Sequence, residues 1–187
     1  MSAIEIAAVI VIVIAIAIAV VWYVRKQERT KKLRAQFGPE YDHAVVTLGN
    51  RTKAEAELLS RRERMEKIRI RALSEENRDY FATKWHQTQS LFVDDPPGSI
   101  READRLVCEL MRVRGYPVSD FENRAADLSV DHPLVVRSYR AAHNIAQRLD
   151  QGNADTEDLR RGFVHYRELF DELLEVRPVG PLGRERQ

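Results

Sequence analysis

The chain has 187 residues and a formal net charge of +1, with 44% hydrophobic residues and one cysteine, Cys108. A lone cysteine excludes a scaffold built from paired disulfides and agrees with a reducing compartment. The near-neutral total hides an asymmetry: residues 25–75 hold 14 Lys and Arg against 8 Asp and Glu, net +6, whereas residues 76–187 hold 16 against 20, net −4. The first part is drawn to anionic lipid heads and the second is repelled by them.

From Ile6 to Val24 run 19 residues without a charge, mostly Ile, Val and Ala, closed by Trp22 and Tyr23. As a helix this run is roughly 28 Å long, close to the hydrocarbon thickness of a bilayer. A buried strand is excluded by length, since strands run about 4 to 8 residues. A cleaved leader is the other rival, because Ala17-Ile18-Ala19 resembles a cleavage site. However, no Lys or Arg precedes the run, and five apolar residues follow Ala19 before the first charge. The pattern predicts a short extracytoplasmic N-terminus over 1–5 and a retained single-pass transmembrane helix over 6–24. A basic juxtamembrane segment over 25–38 completes it. Arg25, Lys26, Arg29, Lys31, Lys32 and Arg34 follow the span, opposed only by Glu28. The positive-inside rule then puts the N-terminus outside and the C-terminal domain on the cytoplasmic side of the inner membrane, with Trp22 and Tyr23 at the inner interface. The lipid bilayer is the first expected partner.

Beyond the span, helix signals follow one another in order. The juxtamembrane segment continues the helix to about Phe37, where Gly38 caps it and Pro39 opens a short helix to Leu48. Gly49-Asn50 breaks that helix. A longer one is expected over Thr52 to Leu73, with Ala54, Leu58, Met65, Ile68 and Ala72 on one seam. Ser74 caps the next, whose Phe81, Trp85, Thr88 and Phe92 share a face. Asp94-Asp95-Pro96-Pro97-Gly98 stops it. Ser99 with Glu102 forms a capping-box signature for a helix that buries Ala103, Leu106, Leu110 and Met111 and ends at Gly115. Ser119 and Glu122 repeat the signature for a short helix to about Leu128. Asp131 with Pro133 starts another, carrying Val135, Tyr139, Ala142, Ala146 and Leu149, ended by Gly152. The last begins near Thr156 and has the cleanest stripe, Leu159, Phe163, Tyr166, Phe170 and Leu173. No stretch after the apolar run alternates with period two, so the fold class is all-α: a transmembrane helix followed by a soluble multi-helix bundle. The helical domain spans 39–176, and residues 177–187 form a disordered tail.

Several local motifs carry a resemblance. Phe37-Gly38-Pro39-Glu40-Tyr41, Phe92-Val93-Asp94-Asp95-Pro96, Arg114-Gly115-Tyr116-Pro117, Leu128-Ser129-Val130-Asp131-His132-Pro133, and His165-Tyr166-Arg167 with Leu169-Phe170-Asp171-Glu172-Leu173 resemble an uncharacterised bacterial family of single-span, membrane-anchored helical proteins. The resemblance covers roughly residues 33–175. It implies the anchored architecture and supplies no activity, cofactor or partner.

The chemistry-bearing residues are sparse. Glu40-x-x-His43 has the spacing of a di-iron ligand pair, but a second copy is missing: the residues three before His86, His132, His143 and His165 are Thr83, Ser129, Arg140 and Gly162. Neither a metal nor a cofactor is expected. Cys108 reads as a buried small residue without a paired base, and the eight glycines are spread singly, with no phosphate-cradling loop. The candidate polar site is Tyr139, Arg140 and His143 on one helix with His165, Tyr166 and Arg167 on another. There the two histidines meet at a helix interface and hold an anion with Arg140 or Arg167. The plainer reading, amphipathic side chains at the edge of a core, is preferred. The basic run from Arg61 to Arg71 is partly neutralised by Glu57–Arg61 and Glu63–Lys67 pairs and lacks interleaved aromatics. It reads as a solvated or lipid-facing surface ahead of a nucleic-acid site. The expected function is a non-enzymatic interaction or scaffold module that holds a protein partner, or a second copy of itself, at the membrane. The alternatives are a small-molecule sensor or enzyme using the Tyr/His/Arg interface, and a nucleic-acid tether.

Overall fold

The computed structural model describes the backbone of residues 3–117 and 119–175, with their side chains from residue 12 onward. Among the described residues there are eight α-helices and no strand. They are α1 (Ala3–Phe37), α2 (Pro39–Leu48), α3 (Arg51–Met65), α4 (Glu75–Asp94), α5 (Pro96–Arg114), α6 (Phe121–Asp131), α7 (Val136–Asp150) and α8 (Thr156–Glu175). The all-α bundle expected from the periodicities is therefore the fold.

The first three helices form a zigzag. Gly38 has φ +48, a positive-φ backbone that glycine adopts freely and that breaks α1 from α2, and Pro39 occupies the first turn of α2, where a missing N–H costs nothing. After α2 the Asn50 carboxamide oxygen accepts from the backbone N–H groups of Thr52 and Lys53 at 2.8 and 3.1 Å and so starts α3. Leu33 and Phe37 of α1, Tyr41 and Ala44 of α2, and Ala54 and Leu58 of α3 close a small core. A larger core lies between α4, α5, α7 and α8. Its centre is Trp85, with ring centroids 5.1 Å from Phe163 and 4.5 Å from Phe170 in stacked geometry. The inward stripes read from α4, α5 and α8 are the buried ones, Phe92 at their edge excepted. Helix α6 packs on α3 and α1, and its Val130 touches both cores.

Five helix boundaries differ from expectation. Helix α3 stops at Met65 instead of Leu73. The segment after it is held by non-local bonds: the Arg71 N–H donates to the Arg114 carbonyl at 2.8 Å, and the buried Arg114 side chain donates to the carbonyls of Arg71 (3.4 Å) and Leu173 (2.9 Å). The segment passes so close to Gly115 (φ +92) that a Cβ there would lie 2.9 Å from the Arg69 carbonyl oxygen. With the helix over, the expected Glu63–Lys67 pair is not among the ion pairs within 4.0 Å, and Ala72 is exposed. Helix α5 begins at Pro96, where Asp95 Oδ1 accepts from the Gly98 N–H at 2.9 Å; Ser99 instead buries its hydroxyl on the Pro96 carbonyl. Helix α6 is capped by Asp120, one residue after Ser119, and runs on to Asp131. Pro133 keeps His132 out of helical geometry, so α7 starts only at Val136.

Among the described residues no helix is long and apolar enough to cross a membrane. The side chains of residues 6–11 of the expected span lie outside them, as do residues 1–2 and the expected tail over 177–187. Within the described part of α1, the large apolar side chains between Ile12 and Val24 are exposed, from 48% at Val24 to 64% at Ile18 and Trp22.

Candidate functional site

The sequence-derived candidate residues fall into separate places. Tyr139 and His143 of α7 do share a face, turned toward α5 and α6. The Tyr139 hydroxyl is fully buried and accepts from Arg124 Nε at 3.2 Å, while a second Arg124 nitrogen donates to the Ser119 carbonyl. The His143 ring stacks on Phe121, with centroids 3.6 Å apart and planes 9° from parallel. Beside them the buried Tyr166 hydroxyl of α8 donates to Asp104 Oδ1 of α5 at 2.9 Å. Four helices thus contribute to one polar belt inside the larger core.

Burial favours the neutral forms of Tyr139, Tyr166, Cys108 and His143 in this belt. It raises the Tyr139 and Tyr166 phenols far above their ordinary range, helped by the negative charge of Asp104. It pushes the Cys108 thiol up, with Asp104 acting in the same sense. It lowers His143 against the opposing pull of Asp104. A cleft of about 320 Å³ opens next to the belt, lined in part by Arg105, Cys108, Arg112, Tyr116 and Arg124. Such an arrangement can hold a polar group by hydrogen bonds, and burial keeps Cys108 a thiol, not a thiolate.

The remaining candidates lie elsewhere, so the two histidines do not form the expected joint site. His165 sits with Nδ1 3.6 Å from Glu168 of its own helix, and Arg167 lies 3.5 Å from Asp171. One residue of helix turns a side chain by about 100°, which carries 165 and 167 away from the Tyr166 stripe. Arg140 turns to another cluster. It donates to Glu122 at 2.7 Å and to Glu40 Oε1 at 3.0 Å, and Arg61 donates to that same oxygen at 3.1 Å. Glu40 is only 4% exposed, so one buried carboxylate joins α2 to α3 and α7.

A third polar centre lies where α1 enters the bundle. Glu55 Oε1 accepts from Thr30 Oγ1 at 2.7 Å, from the Tyr41 hydroxyl at 2.9 Å and from Arg51 Nε at 3.1 Å. Burial alone would raise the Glu55 carboxyl, but these hydrogen bonds outweigh it and hold the group below the usual carboxylate range. Around it Arg25, Lys26, Arg29, Lys31, Lys32 and Arg34 are all exposed. Lys26 stands 5.1 Å over the Trp22 ring, Gln27 donates to the Tyr23 hydroxyl at 2.8 Å, and Arg34 stands 4.9 Å from the Tyr41 ring.

Glu40, Glu55, Asp104 and Arg124 were not singled out as polar anchors by sequence. A signal existed for Glu55: Thr30, Leu33 and Phe37, spaced i, i+3, i+7 through the basic collar, mark the stripe that packs onto α2 and α3. The motif residues Arg114, Tyr116, Asp131, His132 and Glu172 also converge. Tyr116 bonds Asp131 at 3.4 Å, and His132 Nδ1 lies 3.0 Å from Glu172. In the basic run, Arg61 is paired with Glu57 and Glu40, Arg62 with Glu66, and Arg64 with Glu57 and Asp127. Among the described residues no three His, Cys, Asp or Glu side chains gather as a metal set. No family model, no curated protein and no solved structure matches this chain.

Proposed function

We propose that the protein is a single-pass, membrane-anchored helical scaffold, with its bundle on the cytoplasmic face of the inner membrane, where it holds a protein partner or a second copy of itself. The observation that carries this reading is the double character of α1. Its far end is part of the body's core, with Thr30, Leu33 and Phe37 all buried. Its described apolar stretch, by contrast, packs no face against the body: five consecutive residues from Val20 to Val24 are all exposed. A helix that is apolar all round needs an apolar surrounding. The collar from Arg25 to Arg34 supports the orientation by the positive-inside rule. Ion pairing along Arg61 to Arg64 argues against a nucleic-acid tether.

A reporter at the end of the chain tests the placement. A fluorescent protein fused after Gln187 fluoresces in the cytoplasm and a secreted phosphatase at the same place is inactive; the opposite pair of results refutes the orientation. Replacing the apolar run by an unrelated inner-membrane anchor preserves function, whereas removing it abolishes function. A second reading, a small-molecule sensor, is favoured by one observation, the cleft at Cys108 and Arg124 beside the Asp104, Tyr139 and Tyr166 belt. Loss of function in folded Tyr139→Phe or Arg124→Gln variants, with the anchor intact, decides for that reading.

A further inference from the structure

Resting on the anchored reading, we infer that the tip joining α2 to α3 is a second lipid contact, which lays Leu48 and Val46 against the anionic headgroup layer beside the anchor. The levels of the helices along α1 carry the argument. Around Gly38, Arg34 stands 4.9 Å from the Tyr41 ring and 3.7 Å from Asp42, and the Tyr41 hydroxyl shares Glu55 Oε1 with Thr30, so the first turn of α2 lies beside α1 on the side of Gly38 nearer the apolar stretch. Helix α3 turns away again, and the 2.7 Å bond between Thr30 and Glu55 sets those two residues level. Arg51 is one turn before Glu55, about 6 Å closer to the anchor, level with Lys26. By the same reckoning the tip lies within about 6 Å of the level of Val24. A headgroup layer is roughly 5 to 7 Å deep on each side.

The side chains at this tip are of the kind that layer takes. Val46, on the side of α2 opposite the buried Tyr41 and Ala44, is 82% exposed, and Leu48, on their own side but in the last turn beside the α2–α3 tip, is 40% exposed. Arg51 and Lys53 at the start of α3 are exposed too. Together with Arg25, Lys26 and Arg29 they bring five cations to that level, of which Arg51 is paired with Glu55, against the acidic Glu28. Apolar side chains ringed by Lys and Arg match an anionic membrane surface. Contact there fixes the bundle's tilt on the membrane, because the α2–α3 pair is bonded to α1 through Glu55 and to α7 through Glu40.

The test uses the full chain with Cys108→Ser and one new cysteine at a time, each carrying a fluorophore, reconstituted in phosphatidylcholine and phosphatidylglycerol vesicles that contain a headgroup-borne quencher. Leu48→Cys reports the tip, Val20→Cys the anchor, and Ala35→Cys, exposed about 16 Å beyond Val24, the body. The inference predicts strong quenching at 48, at least about threefold that at 35, and a loss of that excess in vesicles without phosphatidylglycerol at high salt. Quenching at 48 no greater than at 35, with 20 inserted, overturns the tip contact and leaves the anchor standing. A label at 20 that stays in water overturns the anchored reading and the tip contact with it.

Discussion

Thr30 of α1 donates a 2.7 Å hydrogen bond to Glu55 of α3, 25 residues further along the chain, and both residues are buried. Because Tyr41 and Arg51 bond the same carboxylate oxygen, the apolar helix does not hang from the bundle by a free linker. It is one of the bundle's own helices. Removing the Thr30 donor with Thr30→Val leaves Glu55 buried with fewer partners and costs about 1 to 3 kcal/mol. Thermal unfolding of the detergent-solubilised chain checks this, and an unchanged midpoint refutes the coupling.

The same carboxylate gives a pH signature. Its folded-state value is depressed below the ordinary 4.5. Its contribution to stability is therefore complete above that value and is lost as the pH falls through the lower folded value. Stability of the wild type falls more steeply below pH 4.5 than that of Glu55→Gln, as unfolding measured across this range will show.

Where the domain begins follows from Leu33 and Phe37. A fragment starting at residue 39 strips the small core of both side chains and exposes Tyr41, Ala54 and Leu58. A fragment starting at Gln27 keeps them. Amide exchange over α2 and α3 is fast in the shorter fragment and slow in the longer one, while α4 to α8 stay protected in both.

In the larger core, Trp85 between Phe163 and Phe170 is the main aromatic contact. Trp85→Ala costs about 3 to 5 kcal/mol, read as a fall in thermal midpoint. A variant as stable as the wild type shows that the indole is not packed there.

Cys108 reports the polar belt. Its thiol is pushed above the ordinary 9.0 by burial and by Asp104, so less thiolate is present at pH 8 than on an unstrained thiol. Alkylation by iodoacetamide has its midpoint above pH 9.0, and Asp104→Asn moves that midpoint down.

Much of this architecture was legible in the sequence, and what escaped it is instructive. The stripes Phe81–Trp85–Thr88 and Leu159–Phe163–Tyr166–Phe170–Leu173 are pure helical periodicity, and their burial follows from that alone. The end of α3 is not local. Residues 66–73 have helical composition, yet the Arg71–Arg114 backbone bond and the buried Arg114 side chain hold them in another path, with Ile68, Ile70 and Leu73 against the larger core. The polar centres failed for a related reason. Glu40 meets Arg140 across 100 residues and Tyr166 meets Asp104 across 62, and no spacing rule within a helix connects such pairs. Arg140 and His165 looked like one site because each borders the correct stripe, but the side to which each turns depends on its neighbours in the packed bundle.

The central claim, that α1 is a membrane shaft built into the bundle, is tested most directly by alkaline carbonate extraction of membranes from cells that make the full chain. The account predicts that the protein remains in the membrane pellet after extraction at high pH and is released only by detergent. Its release into the supernatant by carbonate alone would contradict the account.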